Sequence, residues 1–205
     1  MMLRLVLGIT GASGGIYGIR LAQEVLRAGI HLSLLISRAG LLVLNEECGM
    51  DLDIDSSAGV RQRLYEYLDV DAERLVLYEE SDLLAPIASG SSAPDAMVVC
   101  PASMGTVARI ACGVSSNLLE RCADVMLKER RPLVLVPRET PFSPIHLENL
   151  LRVARAGGII LPAMPAFYHH PATVDDITDF VVGKILDSLG IDHSLFRRWR
   201  GEDGD

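Results

Sequence analysis

The chain has 205 residues, 49% apolar and 22% charged, a length and balance suited to one folded domain with a sizeable core. Its net charge of −8 excludes a general nucleic-acid binder, which carries a basic face. No stretch is long and apolar enough to span a membrane. The cysteines Cys48, Cys100, Cys112 and Cys122 form no C-x-x-C pair, so they read as reduced thiols of a cytoplasmic protein.

Leu3, Leu5, Val6, Leu7 and Ile9 make the apolar run of a strand covered on both faces. The small residues Thr10–Gly15 follow, then Ile16, Ile19, Leu21, Ala22, Val25 and Leu26 at helical spacing. A glycine-rich turn that opens a helix lets backbone N–H groups approach an anion, so a nucleotide or flavin phosphate is expected on Gly11–Gly15. The turn is not a P-loop, because no Gly-Lys-Ser/Thr follows, and it lacks G-x-G-x-x-G. TGASGGI is similar to the opening turn of short-chain dehydrogenases.

His31–Ser37 is predicted as a second strand, with Ser37 and Arg38 at its ligand-facing end. An NAD site wants an acid there; Arg38 suits a 2′-phosphate instead. Leu41–Glu47 is predicted helical, with Glu46 or Glu47 pointing inward. Asp51, Asp53 and Asp55 read as a solvated loop, since no His or calcium-loop pattern accompanies them. Ala58–Leu68 is a predicted helix and Leu75–Tyr78 a strand. Asp82–Pro94 is a long irregular loop of the kind that carries function.

Ala96–Cys100 is a buried strand, and PASMGT after it is a second turn of small residues opening a helix. Two such turns together enclose one ligand. Asn117–Arg130 is a predicted helix and Pro132–Pro137 a strand. Lys128, Arg130 and Arg131 precede that strand; Arg138 and Glu139 follow it. Five or six residues of strand separate the two groups by roughly 17–20 Å. They serve one ligand only if the helix bends back or a neighbouring subunit supplies one group. Arg138 is a phosphate clamp beside a proton-transfer candidate, Glu139.

Leu147–Ala156 is a predicted helix and Gly158–Leu161 the sixth strand. Tyr168 in PAFYHHP offers its hydroxyl to a phosphate or covers the core. Thr173–Leu189 is the last helix and contains Lys184. Its Asp175-Asp176-x-x-Asp179 spells a diphosphate–magnesium signature, read here as helix capping by Thr173 and acids complementing the dipole. Phe196–Arg200 is an aromatic and basic tail, expected to dock on a neighbour, and 201–205 an expected disordered end after a single domain over 1–200. The alternation of strands and helices predicts an α/β fold, a Rossmann-like or flavodoxin-like doubly wound parallel sheet with helices on both faces.

Together, ITGASGGIYG, ASGSSAP, CPASMGT, ADVMLKERRPLVLVPRETP and PAFYHHP closely resemble the flavin prenyltransferase (UbiX) family over nearly the whole chain. The resemblance implies transfer of a dimethylallyl group from dimethylallyl phosphate to N5 and C6 of reduced FMN, without a metal. It implies prenylated FMN as product for a UbiD-type decarboxylase, and a homo-oligomer, a dodecamer. By position it implies FMN contacts from Gly11, Ala12, Ser13, Ser37, Ala102, Ser103, Met104, Gly105, Arg121 and Arg138. Lys128, Arg138, Tyr168 and Lys184 would hold the prenyl phosphate. Glu139, Ser13, Glu47 and Lys128 would be the catalytic groups, with Ser13 and Glu47 relaying the N5 proton. The chain departs from the family pattern at Lys184, commonly Arg, at Ala102, commonly Cys, and at Leu83, aromatic in some members.

Three rivals are weighed. A short-chain dehydrogenase needs Tyr-x-x-x-Lys, and no tyrosine here has Lys four residues on. A flavin-dependent cysteine decarboxylase uses a His ahead of its PASANT turn, and none occurs between His31 and His146. A non-catalytic FMN carrier would give Lys128, Arg138, Glu139 and Lys184 no chemical task.

Overall fold

The computed structural model describes residues 3–68 and 73–199. The expected frayed end, 201–205, lies outside the described residues, as does Arg200 of the tail. The elements in order are β1 (Arg4–Ile9), α1 (Gly15–Arg27), β2 (His31–Ile36), α2 (Arg38–Cys48), α3 (Ser57–Leu68), β3 (Leu75–Tyr78), β4 (Ala96–Ala102), α4 (Met104–Ala111), α5 (Leu118–Lys128), β5 (Leu133–Pro137), α6 (Pro144–Arg155), β6 (Ile159–Ile160) and α7 (Val174–Ser188). The strands lie in the order β3-β2-β1-β4-β5-β6, every neighbouring pair parallel. That is the Rossmann order, so of the two expected architectures the sheet follows this one.

Strand β1 shows why the sheet needs two covers. Leu5, Leu7 and Ile9 face a core built with α1, α3 and α7, while Val6 faces a second core built with α4, α5 and α6. Alternate side chains of a strand point to opposite faces, so an apolar residue at each position demands helices on both. The order reverses between β1 and β4, and the crevice lies outside their carboxyl ends, between the loops that leave them in opposite directions.

Several boundaries differ from the sequence expectation; α2 begins at Arg38 rather than Leu41, capped by Ser37. Helix α6 begins at Pro144 rather than Leu147, because Ser143 and His146 form a reciprocal capping box and proline suits the first helical turn. Strand β4 continues to Ala102, and β6 shrinks to two residues. The irregular Asp82–Pro94 segment holds two short 3-10 turns, Pro86–Ala88 and Gly90–Ser92.

Candidate functional site

The crevice opens at the first turn. Gly14 has φ 102°, a left-handed backbone that side-chain-bearing residues rarely adopt. Its N–H and that of Gly15 donate to Glu47 Oε2, at 2.7 and 3.1 Å. The Ser13 hydroxyl bonds the same carboxylate. Arg138 Nε donates to the Ser13 carbonyl at 2.9 Å. Burial pushes the Glu47 carboxyl up, but Ser13, the two glycine N–H groups and the Arg138 charge outweigh it and hold Glu47 below its ordinary value.

Within the Gly11–Gly15 turn expected to meet a ligand phosphate, the N–H groups of Gly14 and Gly15 are thus engaged by Glu47. The positive end of α1 is already met by the chain's own carboxylate, and Glu47, not Glu46, is the inward acid. Gly11 and Ser13 remain exposed.

The second turn is tied to the first through Thr10. Its hydroxyl donates to the Pro101 carbonyl and accepts from Ser103 N–H, both at 2.7 Å. Ala102 and Met104 bury their side chains in the core, so only their backbone is on offer to a ligand. Ser103 caps α4 by accepting from Thr106 N–H. Met104 and Gly105 are the first helical residues, whose N–H groups have no acceptor within the helix. Ser37 caps α2 by accepting from Gly40 N–H at 3.0 Å, which leaves its own O–H to donate. Arg38, considered for a 2′-phosphate, instead forks onto Asp55 at 3.1 Å.

Strand β5 holds the remaining groups apart. Arg138 and Glu139 follow it at the crevice, where Glu139 Oε1 accepts from Thr140 N–H at 3.0 Å. Lys128 ends α5 at the other end, paired with Glu129. Arg121, two turns earlier on α5, donates to the Ala88 carbonyl at 3.1 Å and to Asp124 at 2.8 Å. Helix α5 does not bend back toward Arg138; it ends at Lys128 with Glu129 as its cap. Arg121 and Lys128 both meet the 86–92 loop, Arg121 at Ala88 and Lys128 beside Gly90.

Tyr168 and Lys184 come from the last third of the chain. The loop after β6 leaves alongside β5, with Ala163 N–H donating to Pro137 carbonyl at 3.1 Å. Tyr168 packs edge-on against Phe180 of α7, ring centroids 5.9 Å apart. Lys184, one turn beyond Phe180, pairs with Asp187 at 3.3 Å. The Asp175–Asp179 signature resolves into helix chemistry. Asp176 closes a capping box with Thr173, and Asp179 pairs with Arg20 at 2.7 Å. Among the described residues no group of three or more His, Cys, Asp or Glu could hold a metal ion.

Residues 2–186 match the family model described as Flavoprotein. The chain is 49% identical over 196 residues to the flavin prenyltransferase UbiX of Pseudomonas aeruginosa, covering 96% of this chain and 93% of that protein. This chain belongs to the flavin prenyltransferase family. Its fold superposes on AnUbiX (PadA1), solved in complex with FMN and dimethylallyl pyrophosphate, at a TM-score of 0.86 and 38% identity, covering 99% and 100% of the two chains. A protein of Escherichia coli O157:H7 described as a dodecameric FMN-dependent UbiX-like decarboxylase matches at a TM-score of 0.84 and 40% identity, covering 97% and 100%.

Within this flavin prenyltransferase fold, three groups escaped the sequence reading: Thr10, Asp187 and Arg198. Thr10 was read only as a small turn residue; nothing local signals that its hydroxyl bridges to a turn some ninety residues on. Asp187 was discoverable, since it stands three residues after Lys184, a spacing at which helical side chains pair. Arg198 lay inside a tail already singled out, but its partner is fixed only by how that tail folds.

Proposed function

We propose that this enzyme joins the dimethylallyl group of dimethylallyl phosphate to N5 and C6 of reduced FMN. The reading is carried by one arrangement: Ser13, ionised Glu47 and Arg138 linked in a chain at the open end of β1. FMN enters as a substrate held by the backbone of Gly11, Ala12 and Ser13, by the Ala102–Gly105 turn and by the Ser37 hydroxyl. Gly11 and Gly105 are both exposed, which leaves their backbone open to the approach of a flat ring and its phosphate arm.

As the allylic C–O bond breaks, its electron pair leaves on the phosphate. Arg138, Lys128, Lys184 and the Tyr168 hydroxyl stabilise that charge. The flavin N5 supplies the pair for the first bond as phosphate leaves. A proton added to the remaining prenyl double bond then makes a tertiary cation, C6 supplies the pair for the second bond, and the C6 hydrogen leaves as a proton. Ser13 passes the N5 proton toward Glu47, and Glu139 assists the remaining proton transfer. Water must stay out, or it quenches the allylic cation.

The site is shared between subunits. Lys128 and Arg121 reach the crevice of a neighbour, carried by a face on which Leu84 stands 96% exposed. A homo-oligomer of the dodecameric kind described for the E. coli relative would cover that face. The product, prenylated FMN, passes to a UbiD-type decarboxylase in the cytoplasm.

The test is anaerobic incubation with reduced FMN and dimethylallyl phosphate in the presence of a chelator, then mass spectrometry of the extracted flavin. The expected flavin is heavier by one five-carbon prenyl unit. Bound but unmodified FMN would favour a carrier or a decarboxylase instead.

A further inference from the structure

After α7 the chain turns back and lies along that helix. Gly183 makes this possible: a Cβ there would collide with the Phe196 ring and come within 2.6 Å of the His193 ring. The tail is seated against the helix backbone. From that seat Arg198 places both terminal nitrogens on Asp187, Nη2 at 2.7 Å from Oδ1 and Nη1 at 3.2 Å from Oδ2. Lys184 donates to Asp187 Oδ2 at 3.3 Å, and His193 Nε2 lies 3.2 Å from Oδ1. Trp199, the next residue, packs edge-on against Tyr168 at 5.4 Å.

Asp187 thus gathers two permanent cations, with Arg198 also within the field of Asp192 and of Tyr168. The carboxylate is the least exposed of the three side chains, at 22%, against 48% for Lys184 and 57% for Arg198. Both cations keep N–H donors beyond those spent on Asp187, though Arg198 Nη2 also lies 3.4 Å from His193 Nε2. Lys184 brings only a point charge, without the planar fork that matches a phosphate. Arg198 adds a planar guanidinium whose terminal nitrogens meet Asp187 and whose Nε side is left for a phosphate oxygen.

We infer that Arg198 is a further ligand of the prenyl donor's phosphate, binding it beside Lys184 and Tyr168 while Asp187 holds both cations in position. The inference rests on the prenyl-transfer reading above. It gives the aromatic and basic tail a task within its own subunit, and it makes Lys184 one half of a two-cation clamp.

The test measures binding of dimethylallyl phosphate by calorimetry to protein loaded with oxidised FMN, alongside its KM with reduced FMN. Arg198→Gln should raise both the dissociation constant and KM about ten- to a hundredfold, the usual weight of charge-assisted hydrogen bonds, with FMN affinity unchanged. Arg198→Lys keeps a cation on Asp187 but loses the fork. It should raise KM while emission from Trp199, the sole tryptophan, stays that of the docked tail. Lys184→Arg added to Arg198→Lys should recover part of the loss. Unchanged donor binding in both single variants overturns the assignment, as does a loss that appears only where Trp199 emission reports an undocked tail. Wild-type protein that binds the donor through Arg198 but never prenylates the flavin overturns the prenyl-transfer reading alone. Wild-type protein that does not bind the donor overturns both.

Discussion

The two sides of the crevice are held by opposite means. On the flavin side, Thr10 is 1% exposed and joins two turns through bonds to backbone, and Glu47 bonds two more backbone N–H groups. On the proposed donor side, exposed side chains converge on Asp187 through ion pairs, with an aromatic tail laid over them. Backbone geometry cannot adjust without unfolding the turn, whereas ion pairs at the surface rearrange at little cost. On the proposed assignment the lesson is one of division: the flat ring would meet a rigid cradle, and the phosphate that must later depart an adjustable clamp.

The largest way to break this contrast is through the proton carriers. Glu47→Gln and Glu139→Gln should each leave FMN bound while slowing prenylation by about 10²- to 10⁴-fold, the usual weight of a positioned acid or base. Single-turnover kinetics with flavin binding measured alongside checks this, and unchanged turnover removes the residue from the mechanism. Next comes the rigid side itself. Thr10→Val strands the Ser103 N–H and costs about 1–3 kcal/mol, read as a lower urea midpoint, with weaker FMN binding.

Salt sharpens the comparison further. Raising ionic strength from about 0.15 to 1 M shortens the screening length from about 8 to 3 Å, so donor KM should rise severalfold while FMN affinity changes less. Acid gives the smallest effect. Asp187 is held at about 2, against an ordinary 3.8, chiefly by its hydrogen bond from Arg198. A depressed carboxylate contributes stability above its unfolded value and loses it as pH falls through the folded one. Trp199 emission should therefore shift between about pH 4 and pH 2, and Asp187→Asn should abolish that shift.

Much of this was legible in the chain. The apolar run at Leu5–Ile9 needed two covers and received them. The opposition of Lys128 and Arg138 followed from their flanking one short strand. The capping of α7 by Thr173 was readable because a cap is local chemistry. What escaped was long-range. That Glu47 would occupy the positive end of α1 depends on how α2 crosses the turn, thirty residues away. The start of α6 was missed because a Ser-Pro pair reads equally as loop, and only the reciprocal His146 bond makes it a cap. The fork of Arg198 depended on a tail whose landing place, the bare backbone at Gly183, has no sequence mark beyond a glycine inside a helix.

The position of Lys128 at the far end of β5 has a genetic consequence. If each crevice borrows its lysine, a subunit lacking Lys128 still owns an intact Glu139, and a subunit lacking Glu139 still lends a good lysine. Two dead variants, Lys128→Ala and Glu139→Ala, co-expressed and assembled together, would rebuild a fraction of working sites that neither homo-oligomer contains. Either variant co-expressed with the wild type would in turn spoil sites made of mostly healthy chains.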